Sequence, residues 1–159
     1  MKPTKFALIC HRVKTQLFRM RILLFKLRGL NIQKNCSIGR ISVDWPNKLY
    51  IGQDCEIQDD VDFRIYRPFA EDAFIKVGDR VFIGHGCEFV SSLRISIGND
   101  CLIASKCTFN DTGHEFSRLR KINEQAVTQG EIELQEDVWI GTNSVILRGV
   151  TIGRGAVIG

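Results

Sequence analysis

From residue 32 onward, aliphatic or aromatic side chains recur at every sixth position. The series Leu134, Ile140, Ile146, Ile152 and Ile158 is unbroken. Upstream run Val77, Ile83 and Phe89, then Ile97, Ile103 and Phe109, preceded by Ile32 and Ile38 and by Ile51, Ile57 and Phe63. Glycine follows the apolar residue at Ile38-Gly39, Ile51-Gly52, Val77-Gly78, Ile83-Gly84, Ile97-Gly98, Ile140-Gly141, Ile152-Gly153 and Ile158-Gly159. Six is neither the helical nor the alternating-strand period. An inward aliphatic, a glycine and a turn-prone pair describe a short strand and a corner. Three such units close one coil of a triangular prism, and coils stack through backbone hydrogen bonds. The inward side chains then form one continuous core, each contributing about 1.5–3 kcal/mol when buried. On this reading the glycines supply backbone angles that a side chain resists.

The remaining composition fits such a body. The chain is 44% hydrophobic and 25% charged, which excludes a disordered or collagen-like polymer. No apolar run approaches the roughly 18–20 residues of a membrane span, and charges interrupt any secretory core near the start. The six cysteines (Cys10, Cys36, Cys55, Cys87, Cys101 and Cys107) include no C-x-x-C pair. They read as reduced, buried small hydrophobes of a cytoplasmic protein. Charge is distributed unevenly. Residues 1–43 hold ten Lys/Arg and no acid, whereas residues 44–159 hold twelve Lys/Arg against eighteen Asp/Glu. No nucleic-acid motif accompanies the basic segment, so no nucleic-acid partner is expected.

Within that segment Phe6, Cys10, Val13, Leu17, Met20, Leu24 and Leu27 follow one another at steps of three and four, a helical stripe. Pro3 suits the start and Gly29 the residue past the end, which predicts a helix over about 4–28. Two readings are open: the stripe caps an open end of the core, or residues 4–28 form a basic helix on an anionic membrane surface. The chain thus divides into a helical segment, 1–30, and a repeat domain, 31–159.

The rhythm stops after Phe109 and resumes near Ile132. The intervening stretch, about 110–131, is polar and aperiodic, and a loop of about 20 residues inside a compact fold is commonly functional. It carries Asp111-Thr112-Gly113-His114. A lone surface histidine is ordinarily a solvated side chain.

The tract VWIGTNSVILRGVTIGRGAVIG, residues 138–159, together with the DTGH string, resembles the hexapeptide-repeat acyltransferases, and among them the sugar and surface-polysaccharide O-acetyltransferases. The resemblance spans about residues 32–159. It implies an all-β, left-handed parallel β-helix with an N-terminal amphipathic helix. It further implies acetyl-CoA as donor without a metal, and a homotrimer with sites between subunits. His114 falls at the family's catalytic base, with Asp111 or Glu115 to orient it. An imidazole near its ordinary pKa of ~6.5 accepts a hydroxyl proton as the oxygen attacks a thioester, and a backbone N–H, by resemblance that of Thr142, stabilises the oxyanion. Trp139, Gly141 and Thr142 would line the pantetheine channel, and CoA contacts would continue from Gly159. His85, Glu88 and Arg118 are candidate acceptor contacts, although His85 stands near where relatives carry an acceptor-binding Asn. Family members usually continue past the position of Gly159, so the repeat domain reads as cut before its last coil. The segment RILLFKLRGLNIQKNCSIG looks like the lead-in of capsule, O-antigen and exopolysaccharide acetyltransferases, pointing to a glycan acceptor at the inner membrane face.

Three alternatives remain: an N-acetyltransferase of amino- or nucleotide-sugars, a non-catalytic β-helix assembly subunit, and a zinc enzyme of the γ-carbonic-anhydrase type. The last needs three His ligands and finds only His85 and His114 outside the basic helix.

Overall fold

The computed structural model describes residues 4–159, with the side chains of residues 5–12, 14, 15 and 18 outside the description. One helix, α1 (Lys5–Leu27), leads into short strands gathered in three parallel sheets. The first sheet holds Asn31–Ile32, Leu49–Ile51, Phe74–Val77, Arg94–Ile97, Ile132–Leu134 and Thr151–Ile152. The second holds Ser37–Ile38, Glu56–Ile57, Phe82–Ile83, Leu102–Ile103, Trp139–Ile140 and Val157–Ile158. The third holds Ile41–Val43, Val61–Ile65, Glu88–Ser91, Thr108–Asn110 and Val145–Leu147. The chain visits the sheets in turn, so each circuit is one coil of the parallel β-helix that the repeat led us to expect, consistent with the left-handed form that the resemblance implies.

Register is in phase from coil to coil: Ile57 pairs with Ile83, Ile83 with Ile103 and Ile103 with Ile140. These are the residues of the six-fold series, and all four lie fully or almost fully buried. In the third sheet the inward column is aromatic. Phe63 stacks on Phe89 (centroids 5.1 Å, 13°), and Phe89 on Phe109 (4.7 Å, 7°). Flat offset stacking suits a column whose repeat is the strand spacing of about 4.8 Å.

The corners correct one expectation. The repeated glycines Gly39, Gly52, Gly78, Gly84, Gly98 and Gly141 do not adopt positive φ. They are required by proximity instead: a Cβ at Gly98 would lie 2.6 Å from the Gln135 carbonyl carbon, and one at Gly84 2.6 Å from the Ser105 nitrogen. The left-handed residues stand two positions later. Between first and second sheets they are Asn35, Asp54, Arg80, Asp100, Asp137 and Gly155; between second and third, Asp60, Gly86, Lys106 and Asn143. That conformation turns the amide back to the preceding coil, as in Arg80 N–H to Gln53 O (2.8 Å), Asp100 to Asp79 O (2.9 Å) and Lys106 to His85 O (2.9 Å). Asn and Asp tolerate it best among residues with a side chain.

Cysteines line the same corners from inside. Cys36, Cys55, Cys101, Cys87 and Cys107 are all free, and each thiol donates to a carbonyl of the next coil, for example Cys55 Sγ to Gly78 O (3.1 Å) and Cys107 Sγ to Gly141 O (3.0 Å). Burial pushes the Cys55 and Cys87 thiols up to about 11. They behave as the small reduced hydrophobes expected; the Cys10 side chain lies outside the described residues.

α1 matches its predicted span, and its end is a Schellman motif. Gly29 has φ +96°, its N–H reaches Lys26 O (3.0 Å), and Leu30 N–H reaches Phe25 O (2.9 Å). The stripe, however, does not cap the core. Ile22 and Phe25 on the other face touch it, while Val13, Leu17, Met20, Leu24 and Leu27 stay exposed. The stretch around 110–131 also differs from a structureless loop. It is a hairpin, Thr112–His114 antiparallel to Val127–Gln129, with a 3₁₀ turn at Ile122–Glu124. Too few periodic residues mark so short a hairpin for sequence to show it.

Two outcomes follow. Gly98→Ala should lower stability by about 1–3 kcal/mol, because the clash is with backbone, while Lys106→Gly should gain up to about 1 kcal/mol by relieving left-handed strain; urea midpoints at constant m-value measure both. The thiols favour the folded state in their protonated form, so their contribution is present below the ordinary value of 9.0 and disappears as pH rises through about 11. Stability measured from pH 8 to 11 should fall over that window, and Cys55→Ala with Cys87→Ala should flatten the fall.

Candidate active site

The third corner, joining the third sheet to the first, carries the chain's longer excursions: residues 44–48, 66–73 and the hairpin. The hairpin is held at its base by Asp111, which is completely buried. Its carboxylate accepts Ser92 N–H (2.7 Å), Leu93 N–H (2.8 Å) and Ser91 Oγ–H (2.9 Å) from the tight corner of the preceding coil. A buried carboxylate so supplied with donors needs no counter-cation. The backbone joins in: Asp111 N–H donates to Val90 O (3.2 Å), and Asp111 O accepts Gly130 N–H (3.0 Å) where the hairpin returns. Asn110 Oδ1 takes both Thr112 N–H (3.0 Å) and Thr112 Oγ1–H (2.7 Å), fixing the first strand's direction.

His114 ends that strand, opposite Val127, with its side chain exposed. Two arginines support the hairpin. A Cβ at Gly113 would lie 3.1–3.2 Å from the Arg148 guanidinium, so the strand packs closely on that side chain. Arg67 Nη1 reaches Gln129 Oε1 (3.2 Å) from the neighbouring excursion. Beyond His114 the tip is closed by the buried Gln125, whose Oε1 accepts Ser117 N–H (2.7 Å) and whose Nε2 donates to Ser117 O and Arg120 O (both 3.1 Å). Glu115 and Arg118 are exposed on this tip. Glu115 lies just past the strand, its N–H on Ala126 O (3.0 Å), and Asp111 is engaged at the corner.

The other sequence-derived candidates lie elsewhere on the prism. Trp139 is half-exposed on the outer face of the second sheet. Thr142 stands exposed at the second corner, and Gly141 packs on the last coil, where a Cβ would sit 2.9 Å from Ile158 O and 3.2 Å from Gly159 Cα. His85 occupies the same corner two coils earlier, its N–H on Gln58 Oε1 (3.1 Å) and Nδ1 3.9 Å from Asp60. Glu88 begins the adjacent strand and pairs with Arg64 (3.1 Å). The chain therefore brings His114, Asp111, Glu115 and Arg118 together on one edge, and His85, Glu88, Trp139, Gly141, Thr142 and Gly159 on or beside another. Arg148, Arg67, Ser91 and Gln125 escaped the sequence reading. Each acts through a partner that no local motif marks, and Arg148 meets a residue a full coil away. Among the described residues no group of three or more His, Cys, Asp or Glu is placed to hold a metal ion.

Comparison with known proteins agrees with this architecture. Residues 131–159 match the bacterial transferase hexapeptide family (six repeats), and residues 74–105 match the hexapeptide repeat of succinyl-transferase. A probable acetyltransferase of Mycobacterium tuberculosis is 33% identical over 91 residues, 57% of this chain and 30% of that protein. Galactoside O-acetyltransferase of Escherichia coli is 35% identical over 92 residues, 57% of this chain and 44% of that protein. The chain thus spans less than half the length of these curated relatives. Among solved structures, the N-acyltransferase AntD from Bacillus cereus shares the fold over 86% of this chain and 73% of that one (TM-score 0.68, 20% identity). The repeat matches and the three parallel sheets coiled on one core show that the chain is built from hexapeptide repeats like those of bacterial transferases.

Proposed function

We propose that the protein transfers an acetyl group from acetyl-CoA to a sugar hydroxyl, as a homotrimer with sites between neighbouring protomers, in the building of a bacterial surface polysaccharide. One observation carries this reading: the two halves of the candidate site lie on different edges of the prism. Packing three prisms about a common axis would set one protomer's hairpin against the next protomer's second corner, the heterologous contact of two different edges that closes a ring. The likeness to galactoside O-acetyltransferase over 57% of the chain supports the chemistry.

In this arrangement His114 accepts the proton of the acceptor hydroxyl as its oxygen attacks the thioester carbonyl. The Thr142 N–H of the next protomer stabilises the tetrahedral oxyanion. When the carbon–sulfur bond breaks, the thiolate leaves with the proton carried by His114, and the ester product and free CoA thiol complete the balance. Trp139 and Gly141 flank the pantetheine arm, with CoA contacts continuing from Gly159. Asp111 serves as the buried anchor that fixes where His114 stands, while His85, Glu88, Glu115 and Arg118 border the acceptor.

Thiol release from acetyl-CoA across a panel of neutral, acidic and amino sugars tests the reaction. His114→Ala should lower kcat by about 10²–10⁴-fold while leaving the fold intact by circular dichroism; unchanged turnover would remove His114 as base, and turnover confined to amino sugars would favour N-acylation. Absence of turnover on every acceptor favours the assembly-subunit reading. Shared sites have a separate signature. Co-expressing His114→Ala with Thr142→Pro, each inactive alone, should restore roughly a quarter of wild-type activity through randomly mixed trimers; no recovery would confine the site to one protomer.

A further inference from the structure

α1 has two faces with different fates. Ile22 and Phe25 reach the core, and Arg28 Nη2 donates to Asp44 O (3.2 Å), fixing the helix end against the prism. On the opposite face Val13, Leu17, Met20, Leu24 and Leu27 recur at helical spacing, each at least 55% exposed. A continuous apolar stripe left in water across four turns is unusual for a surface helix and marks an interaction site. The stripe is flanked on both sides by cations, Arg21 and Arg28 along one border and Arg19 and Lys26 along the other. Arg19, Arg21 and Lys26 make no ion pair among the described residues. No acid precedes Asp44 in the chain.

We propose that α1 is a membrane-surface helix whose outward stripe enters the headgroup–acyl boundary of an anionic bilayer. Long basic side chains on either border of a Leu-rich face extend toward lipid phosphates while their stems lie on the apolar surface. Anionic headgroups complement residues 1–30, which hold eight cations and no anion, and the acyl region complements the stripe between them. A nucleic acid would satisfy the charges and leave the leucines in water. The helix joins the prism beside the third corner, where Gly29 abuts Asn47 and where the exposed Trp45 and Phe69 pack edge to face (5.5 Å). Aromatic rings of this kind favour the membrane interface. The same edge carries the His114 hairpin, so docking through α1 ties that edge of the prism to the membrane-bound end of the molecule. The inference stands independently of the acyl-transfer reading.

Sedimentation of the full chain with vesicles of phosphatidylcholine containing 30% phosphatidylglycerol tests it, with pure phosphatidylcholine vesicles as reference. Binding to the anionic vesicles, at least tenfold tighter than to the neutral ones and weakened by 1 M salt, is expected. Arg19→Gln with Arg21→Gln and Lys26→Gln should weaken it by roughly fivefold for each cation removed. Leu17→Asp with Leu24→Asp, which spares the Ile22 and Phe25 contacts, should abolish it while the assembly mass by light scattering stays constant. Failure of the wild-type chain to sediment overturns the proposal. So does binding that survives the leucine substitutions, or an assembly mass that falls with them, since the stripe would then belong to an interface between copies.

Discussion

The structure depends on one repeated distance, the separation of hydrogen-bonded strands in adjacent coils. At about 4.8 Å it brings backbone of the next coil within 2.6 Å of where a Cβ would stand at Gly84 and Gly98, so those positions are glycine. The same distance lets Phe63, Phe89 and Phe109 stack nearly flat, and lets a buried thiol reach the next coil's carbonyl. Core, corners and hydrogen bonding are consequences of one stacking interval.

Regular stacking also explains where irregularity gathers. From the second coil on, the first and second corners are short and nearly identical, each with a left-handed residue donating to the coil before it. Insertions there would break that ladder. The third corner lacks the repeated constraint and accommodates the excursions at 44–48 and 66–73 and the His114 hairpin. Buried Asp111 is the price of placing a hairpin there, since its carboxylate gathers the donors of the Ser91–Ser92–Leu93 corner that a regular coil would leave to its own backbone.

Much of this was legible in the chain. The six-residue period located the inward columns, and Ile57, Ile83, Ile103 and Ile140 pair as the period requires. The helix over about 4–28 and its glycine stop were read correctly, because capping and periodicity are local. The repeated glycines are legible as a pattern, but their cause is not local: the neighbour that excludes a Cβ belongs to the next coil rather than to the glycine's own backbone angles. His114, Asp111 and Trp139 were singled out by motif, but nothing local could reveal that Asp111 is occupied by the preceding coil or that Arg148 lies beneath Gly113.

The sequence by itself determined the coil, because a period of six with glycine in phase is satisfied by few other backbones and each repeat meets the next in the same way. Tertiary structure alone decided which face of α1 meets the core, that the aperiodic stretch folds as a hairpin, and that the candidate residues separate onto two edges. Those outcomes rest on contacts between residues distant in the chain, whose strengths depend on geometry that only the assembled prism supplies.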